Sequence, residues 1–264
     1  MSEKYIQAIL QAQVYDVAIE SPLDKAPGLS KKFNNNIYLK REDLQPVFSF
    51  KCRGAYNKMA SLSPQETLRG VIACSAGNHA QGVALAAQKL NIASTIVMPV
   101  TTPSIKIDAV KQRGSTVILH GDTYDEASER AKELASTHNL TMVHPFDDPL
   151  VIAGQGTIGL EIMRQHNQDI DAIFVCVGGG GLLAGIASYV KYISPQTKII
   201  AVEAQDAACF KAAMDAGHPV TLPHVGLFAD GAAVARVGDE TFRIAKDLVD
   251  DVITVSTDEI CAAI

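Results

Sequence analysis

Residues 173–187 read IFVCVGGGGLLAGIA, and this stretch decides the fold class. The apolar run 173–177 predicts a buried strand, and the apolar residues after the glycines predict a helix. Between them, Gly178, Gly179, Gly180 and Gly181 predict a turn without side chains. Such a turn leaves backbone N–H groups free at the positive end of a helix dipole, where proteins bind phosphate. A purely structural glycine turn is the alternative, but four glycines at a strand-to-helix junction favour an anion site.

The composition narrows the class of protein. The chain has 264 residues, of which 47% are hydrophobic, enough for the core of one large or two smaller domains. A net charge of −6 with no basic stripe argues against nucleic acid as a partner. The five cysteines are scattered and form no C-x-x-C pair, so we expect neither disulfides nor a zinc site. Together with an N-terminus that lacks a signal-peptide pattern, they predict a cytoplasmic protein.

A run without charges, residues 172–190, has the length of a membrane span. The glycine block lies in its middle and would break a spanning helix. A buried strand followed by a packed helix explains the run better, so we expect no membrane partner.

Strand-like and helix-like segments alternate along the chain with short loops, which predicts a parallel α/β fold. Four β–α units predict a small α/β domain over residues 70–147, and residues 1–69 and 148–264 then form a larger domain. Within the small domain, Asp122 is a plausible N-cap of a helix over 126–138. Ligands of such folds bind at the carboxyl ends of strands. Residues 74–79 and the glycine block both lie at such ends, so we expect them to face one cleft.

A dinucleotide is one candidate ligand for the glycine block. Gly179, Gly181 and Ala184 fit the relaxed G-x-G-x-x-[GA] pattern, and Glu203 ends the next predicted strand, where a ribose-binding acid belongs. An NAD-dependent dehydrogenase with a Rossmann fold is therefore an alternative. A Walker P-loop is excluded, because no Lys-Ser or Lys-Thr follows the glycines.

A second candidate ligand explains more of the sequence. Residues 40–56, KREDLQPVFSFKCRGAY, resemble the cofactor-lysine motif of the fold-type II pyridoxal phosphate enzymes, in their serine/threonine dehydratase branch. Residues 75–82, SAGNHAQG, are similar to the substrate-carboxylate loop of that family, and residues 177–182, VGGGGL, to its phosphate loop. Further runs resemble the biosynthetic threonine dehydratases in particular; they are 144–147 (HPFD), 151–157 (VIAGQGT), 226–231 (GLFADG) and 238–243 (GDETFR).

The resemblance implies a fold and a set of site residues. The fold is that of tryptophan synthase β, with two parallel-sheet α/β subdomains and pyridoxal 5'-phosphate in the cleft between them. Lys51 and Ser75 are the implied catalytic residues, Lys51 as the one that carries the cofactor. The implied cofactor-binding residues are Lys51, Phe50, Asn78, Gly178, Gly179, Gly180, Gly181 and Leu182. The implied substrate-binding residues are Ser75, Ala76, Gly77, Asn78, His79 and Gln155.

The implied activity is the α,β-elimination of water from L-threonine, which yields 2-oxobutanoate and ammonia, with L-serine as a side substrate. In the biosynthetic branch this is the first step of isoleucine biosynthesis, and the resemblance implies a homotetramer or homodimer. Family members continue past the equivalent of Ile264 with more of the large domain and then a regulatory domain. The resemblance therefore implies an incomplete large domain, and a cofactor-binding, non-catalytic fragment is an alternative.

Glu203 has a third interpretation. The acid that ends this strand in related enzymes binds a structural cation, sometimes together with a second acid. Here Cys209 stands where that second acid would be, and hard cations prefer oxygen ligands. We expect no divalent metal, and Glu203 is a weak candidate for a monovalent cation.

Overall fold

The structure, a computed structural model, describes residues 3–264. Its helices are α1 Glu3–Leu10, α2 Pro27–Phe33, α3 Lys51–Ala60, α4 Pro64–Arg69, α5 Asn78–Leu90, α6 Ser104–Lys111, α7 Tyr124–His138, α8 Pro149–Gln165, α9 Gly181–Ile193, α10 Cys209–Ala216, α11 Asp239–Ala245 and α12 Thr257–Ala263. Its strands are β1 Leu23–Lys25, β2 Tyr38–Lys40, β3 Val71–Cys74, β4 Ser94–Met98, β5 Thr116–Leu119, β6 Thr141–Met142, β7 Ala172–Cys176, β8 Lys198–Ala204 and β9 Asp251–Val255.

Two parallel sheets form the framework. One has the strand order β5-β4-β3-β6 and the other the order β7-β8-β9, and every neighbouring pair within them is parallel. Strands β1 and β2 form a small antiparallel ladder of their own. The predicted parallel α/β architecture is confirmed. All four strands of the first sheet lie between residues 70 and 147, although the division into a small and a large domain stays a prediction.

The charge-free run 172–190 forms β7, the glycine turn and most of α9. Across residues 3–264, no helix combines the length and the apolar character needed to cross a bilayer. The packed helix is confirmed, since most of α9 is buried. The buried strand is wrong: β7 lies at the edge of its sheet, where Phe174 is 65% exposed and Cys176 is exposed.

Three helices approach one another through glycines. A β-carbon on Gly154 of α8 would lie 2.7 Å from the Cα of Gly54 in α3, and one on Gly185 of α9 would lie 2.6 Å from the backbone nitrogen of Gly156. Side chains at these positions would force the helices apart. Helix α8 thus joins the helix that begins at Lys51 to the helix that follows the glycine turn, and it fixes their relative positions.

Among the described helices, α4, α7, α8 and α12 begin with a side-chain cap from their own N-cap residue. In α7 the cap is Thr123, whose Oγ1 accepts the Glu126 N–H at 3.3 Å while the Glu126 carboxylate accepts the Thr123 N–H at 2.9 Å. The predicted N-cap Asp122 is therefore wrong by one residue, and the helix begins at Tyr124. The Thr-x-x-Glu capping box satisfies two backbone donors at once, the N–H groups of Thr123 and Glu126.

Phe48 is the strained residue of the loop that precedes α3. Its φ is 57°, a left-handed conformation that costs a bulky residue about 1–2 kcal/mol, and its side chain is 78% exposed. We expect Phe48→Asn to stabilise the fold by about 1 kcal/mol, because asparagine adopts this conformation readily and little burial is lost. Thermal unfolding would measure it. Asn139 has a φ of 53° and is exposed, so Asn139→Phe should have the opposite effect, and equal midpoints for both variants would contradict the explanation.

Candidate active site

Several helices lack a side-chain cap from their N-cap residue, and two of them, α5 and α9, begin at the glycine-containing loops that the sequence singles out. Helix α5 follows β3, helix α9 follows β7, and neither has a side-chain cap at its N-terminus. The N–H groups of a first helical turn have no intrahelical partner and lie at the positive end of the dipole. The N-termini of α5 and α9 are therefore suited to anions, and each lies at the carboxyl end of a parallel strand, where ligands of such folds bind.

The glycine turn before α9 has no room for side chains at its centre. Gly180 has a φ of 91°, and a β-carbon there would lie 2.9 Å from the Thr241 hydroxyl. A β-carbon on Gly179 would overlap the ring of Phe146. The carbonyl of Gly179 accepts the Gly238 N–H at 3.2 Å and the Thr241 hydroxyl at 2.7 Å. Contacts with Phe146, Gly238 and Thr241 thus fix the glycine turn. The sequence indicated the glycines but not these partners.

Lys51 is the first residue of α3. Its Nζ donates a hydrogen bond to the Pro145 carbonyl at 2.9 Å and lies 5.4 Å from the centre of the Phe50 ring. Burial disfavours the charged ammonium and lowers the pKa of Lys51 to about 8. A larger fraction of this amine is therefore neutral near pH 7 than for an ordinary lysine, and the neutral form is the nucleophile and the base.

The loop before α5 contains the predicted substrate-binding residues. The Ser75 hydroxyl accepts the Gly77 N–H at 3.2 Å; Ser75, Ala76 and Gly77 are half-buried, and Asn78 is exposed. His79 is only 3% exposed, and its Nε2 lies 2.8 Å from the Val143 carbonyl. Burial lowers the pKa of His79 to about 3, so the ring stays neutral and donates from Nε2 to that carbonyl. This geometry anchors the loop and leaves no acid–base role for His79.

One short segment, residues 143–147, touches all three parts of the site. Its Val143 carbonyl binds His79, its Pro145 carbonyl binds Lys51, and its Phe146 ring lies against the glycine turn. The sequence marked HPFD only as part of a resemblance and assigned no role to it. No local pattern could have done so, because the role follows from contacts with three distant segments.

Gln155 lies on α8 where that helix packs against α3. Its side chain is 1% exposed, and its Oε1 accepts the Gly54 N–H at 3.2 Å. Substrate binding by Gln155 stays a prediction. The glycines beside it, Gly154 and Gly156, let the helices close over it.

Glu203 is the second-to-last residue of β8 and is 1% exposed. Its two carboxylate oxygens accept the N–H groups of Phe210 and Lys211, each at 2.8 Å, so it caps α10 from the neighbouring strand. Burial raises the pKa of Glu203, and these hydrogen bonds oppose that rise. Among the described residues, no three His, Cys, Asp or Glu side chains form a group able to hold a metal ion. The monovalent-cation site at Glu203 stays a prediction.

These features fit pyridoxal phosphate. A half-buried lysine with a lowered pKa suits an aldehyde, and an uncapped glycine turn suits a monophosphate. A β-carbon at Gly179 or Gly180 would collide with its surroundings, as expected for a turn that is packed closely on both sides. Phe50 beside Lys51 offers an aromatic surface within the same site.

Comparison with known proteins agrees with this site. The chain is 55% identical over 260 residues to the biosynthetic L-threonine dehydratase IlvA of Salmonella typhimurium, which covers 98% of this chain and 50% of that protein. It is 57% identical over 261 residues to the chloroplastic biosynthetic threonine dehydratase of Arabidopsis thaliana, covering 99% of this chain and 44% of that protein. The chain thus spans about half the length of the curated relatives it matches.

A solved structure shares the fold. The processed form of threonine deaminase isoform 2 from Solanum lycopersicum superimposes with a TM-score of 0.97 at 55% identity, covering 99% of this chain and 76% of that one. This similarity confirms the expected fold-type II architecture. It gives no support to the dinucleotide alternative.

Residues 14–264 match the family described as pyridoxal-phosphate dependent enzyme. That match includes Lys51, the loop before α5 and the glycine turn before α9. The chain therefore belongs to the pyridoxal-phosphate dependent enzyme family.

Proposed function

We propose that the complete protein containing this chain converts L-threonine to 2-oxobutanoate and ammonia, and L-serine more slowly to pyruvate. The observation that carries the proposal is Lys51, whose amine has a lowered pKa and lies in one site with two uncapped helix ends. Relatives at 55–57% identity named as biosynthetic threonine dehydratases support the choice of substrate. The same relatives support the proposal that this reaction is the first step of isoleucine biosynthesis.

We propose one anion for each of the two helix N-termini in the site, those of α5 and α9. We propose that the glycine turn, with the first turn of α9, holds the phosphate of the cofactor through the N–H groups of Gly178, Gly179, Gly180, Gly181 and Leu182. Phe50 packs against the cofactor ring, and Asn78 hydrogen-bonds it. The N–H groups at the start of α5 and the Ser75 hydroxyl hold the substrate carboxylate, together with the backbone of Ala76, Gly77 and His79.

The catalytic work of the chain centres on the amine of Lys51. When bound, pyridoxal phosphate supplies an electron sink for the charge that develops at the substrate α-carbon. Lys51 in its neutral form takes the α-proton onto Nζ, and the Pro145 carbonyl orients that nitrogen. A positioned base of this kind contributes typically about 10²–10⁴-fold in rate.

We also propose the cellular setting. All five cysteines are free thiols, which supports a reducing compartment such as the cytoplasm. The complete protein is proposed to be a homotetramer or homodimer. Residues 70–147 are proposed to form the small domain and residues 1–69 and 148–264 the large one, with the cofactor between the two parallel sheets.

The test is a product assay on the complete holoenzyme. We expect L-threonine to yield 2-oxobutanoate and ammonia in equal amounts, and L-serine to yield pyruvate at a lower rate. Adding NAD should change neither rate. Retention of pyridoxal phosphate without keto-acid formation from either substrate would contradict the proposed reaction and favour the non-catalytic alternative.

A further inference from the structure

We propose that Asp147 is a positioning residue that sets the affinity of the glycine turn for a phosphate group. It acts through the first turn of α11 and the peptide between Gly179 and Gly180. The inference rests on the proposed assignment of the glycine turn as the phosphate site, and it does not depend on which amino acid is the substrate.

Asp147 caps a helix from another part of the chain. Its Oδ1 accepts the N–H groups of Glu240 at 2.9 Å and Thr241 at 3.1 Å, and its Oδ2 accepts the Asp239 N–H at 3.0 Å. Hydrogen bonds to an ionised acceptor are roughly twice as strong as neutral ones. A β-carbon on Gly238 would overlap the Asp147 carboxylate, so the two segments are in close contact. The position of the first turn of α11 is therefore set by Asp147.

That turn holds the glycine loop. The Gly238 N–H and the Thr241 hydroxyl both donate to the Gly179 carbonyl, at 3.2 Å and 2.7 Å. The described peptide bonds are all trans, and in a trans peptide the C=O and the following N–H point in opposite directions. Because the Gly179 carbonyl points towards α11, the Gly180 N–H points away from it, into the turn that precedes α9. Asp147 thus controls the direction of a donor in the phosphate site.

The same segment reaches the lysine. Pro145, two residues before Asp147, accepts the hydrogen bond from Lys51 Nζ at 2.9 Å, and Phe146 lies against Gly179 and Gly181. Fixing Asp147 therefore fixes a tripeptide that contacts both ends of the proposed cofactor site.

The negative charge of Asp147, considered alone, predicts the opposite change in phosphate affinity. Asp147 carries a negative charge within two hydrogen bonds of the glycine turn, so its removal would favour phosphate binding if electrostatic repulsion were the main effect. If orientation is the main effect, its removal weakens phosphate binding. The sign of the change in phosphate affinity therefore decides between electrostatic repulsion and orientation as the main effect.

The experiment compares two ligands of the apo form of the complete protein, pyridoxal phosphate and pyridoxal, by absorbance titration. In Asp147→Asn one amide hydrogen faces a backbone N–H, so α11 and the Gly179 carbonyl shift. We expect the ratio of the pyridoxal phosphate affinity to the pyridoxal affinity to fall about tenfold. A general folding defect would weaken both ligands and leave the ratio unchanged.

The chain offers a matched control in the next residue. Asp148 caps α8 through the N–H groups of Leu150 and Val151, at 2.8 and 3.3 Å, and pairs with Lys58 at 2.8 Å. Asp148→Asn disturbs a helix cap of the same kind but has no contact with α11 in the described structure, so the affinity ratio should stay at the wild-type value.

A second pair of variants keeps the test decisive if Asp147→Asn folds poorly. Thr241→Val removes the hydroxyl that binds the Gly179 carbonyl and should lower the affinity ratio, whereas Thr241→Ser keeps the hydroxyl and should restore it. An unchanged or increased ratio in both Asp147→Asn and Thr241→Val would overturn the inference. Failure to deaminate threonine, with the ratio falling as expected, would refute the proposed reaction and leave this inference standing.

Discussion

Replacing Lys51 with alanine is expected to lower the rate of threonine deamination by about 10⁴-fold, the upper range for loss of a positioned acid–base group. The reason is that Lys51 combines a lowered pKa, a single hydrogen bond to the Pro145 carbonyl and a position beside the glycine turn. The measurement is the initial rate of 2-oxobutanoate formation by the complete protein. Lys51→Arg should be similarly inactive, because a guanidinium does not lose its proton near neutral pH.

The control for this substitution lies on the same helix. Lys58 is near the end of α3 and forms an ion pair with Asp148, so Lys58→Ala should keep the rate within a few-fold of wild type. Reductive trapping with borohydride, followed by peptide mapping, should place the pyridoxyl group on Lys51. A label on a different lysine, or substantial activity in Lys51→Ala, would show that another amine performs the chemistry.

The glycine turn and the parallel strands could be predicted because their signals are local. An apolar run, four glycines and a second apolar run define β7, the turn and α9 without reference to other parts of the chain. Helix α11 could not be predicted in this way. Its cap is Asp147, which lies far away in the sequence, so the segment from Asp239 carries no complete start signal of its own.

The site was predictable to a similar extent. Lys51 and the loop at Ser75 were identified by motif resemblance, and the structure brings both together with the glycine turn. The burial of Gln155 could not be predicted, because a glycine-rich helix start and a glycine-mediated helix contact look alike in sequence. Only the close approach of α3 to α8 shows that the side chain is enclosed between them. The contacts of residues 143–147 depend on the same tertiary packing.

A buried charge network stabilises the helix that carries Lys51. Arg53 and Glu161 are both fully buried and form two hydrogen bonds, at 2.5 and 2.9 Å. The Glu161 carboxylate also pairs with Lys40 at 2.6 Å and accepts the Tyr15 hydroxyl at 2.9 Å, and Glu42 is the second partner of Arg53. The cluster connects the loop before α3 (Glu42) with α3 itself (Arg53) and with α8 (Glu161). Arg53 is two residues after Lys51, the first residue of α3.

Glu161→Gln is expected to destabilise the fold by about 3 kcal/mol, close to the cost of removing one partner of a buried ion pair. The amide has nearly the same shape as the carboxylate, so the substitution removes the negative charge and little else. The fully buried Arg53 and the largely buried Lys40 would then keep their positive charges with one carboxylate fewer beside them. For a domain of this size the thermal midpoint should fall by roughly 6–12 °C. Activity measured well below that midpoint should fall as well, since Arg53 is two residues from Lys51.

An exposed ion pair provides the comparison. Arg130 and Glu133 lie on the surface of α7 at 2.6 Å, and Glu133→Gln should change the free energy of unfolding by less than about 0.5 kcal/mol. Both substitutions remove one carboxylate from one ion pair, so the difference between them measures what burial adds. Equal midpoints for Glu161→Gln and Glu133→Gln would mean that water reaches Arg53 in solution, and the network would then have no part in holding α3 and Lys51 in place.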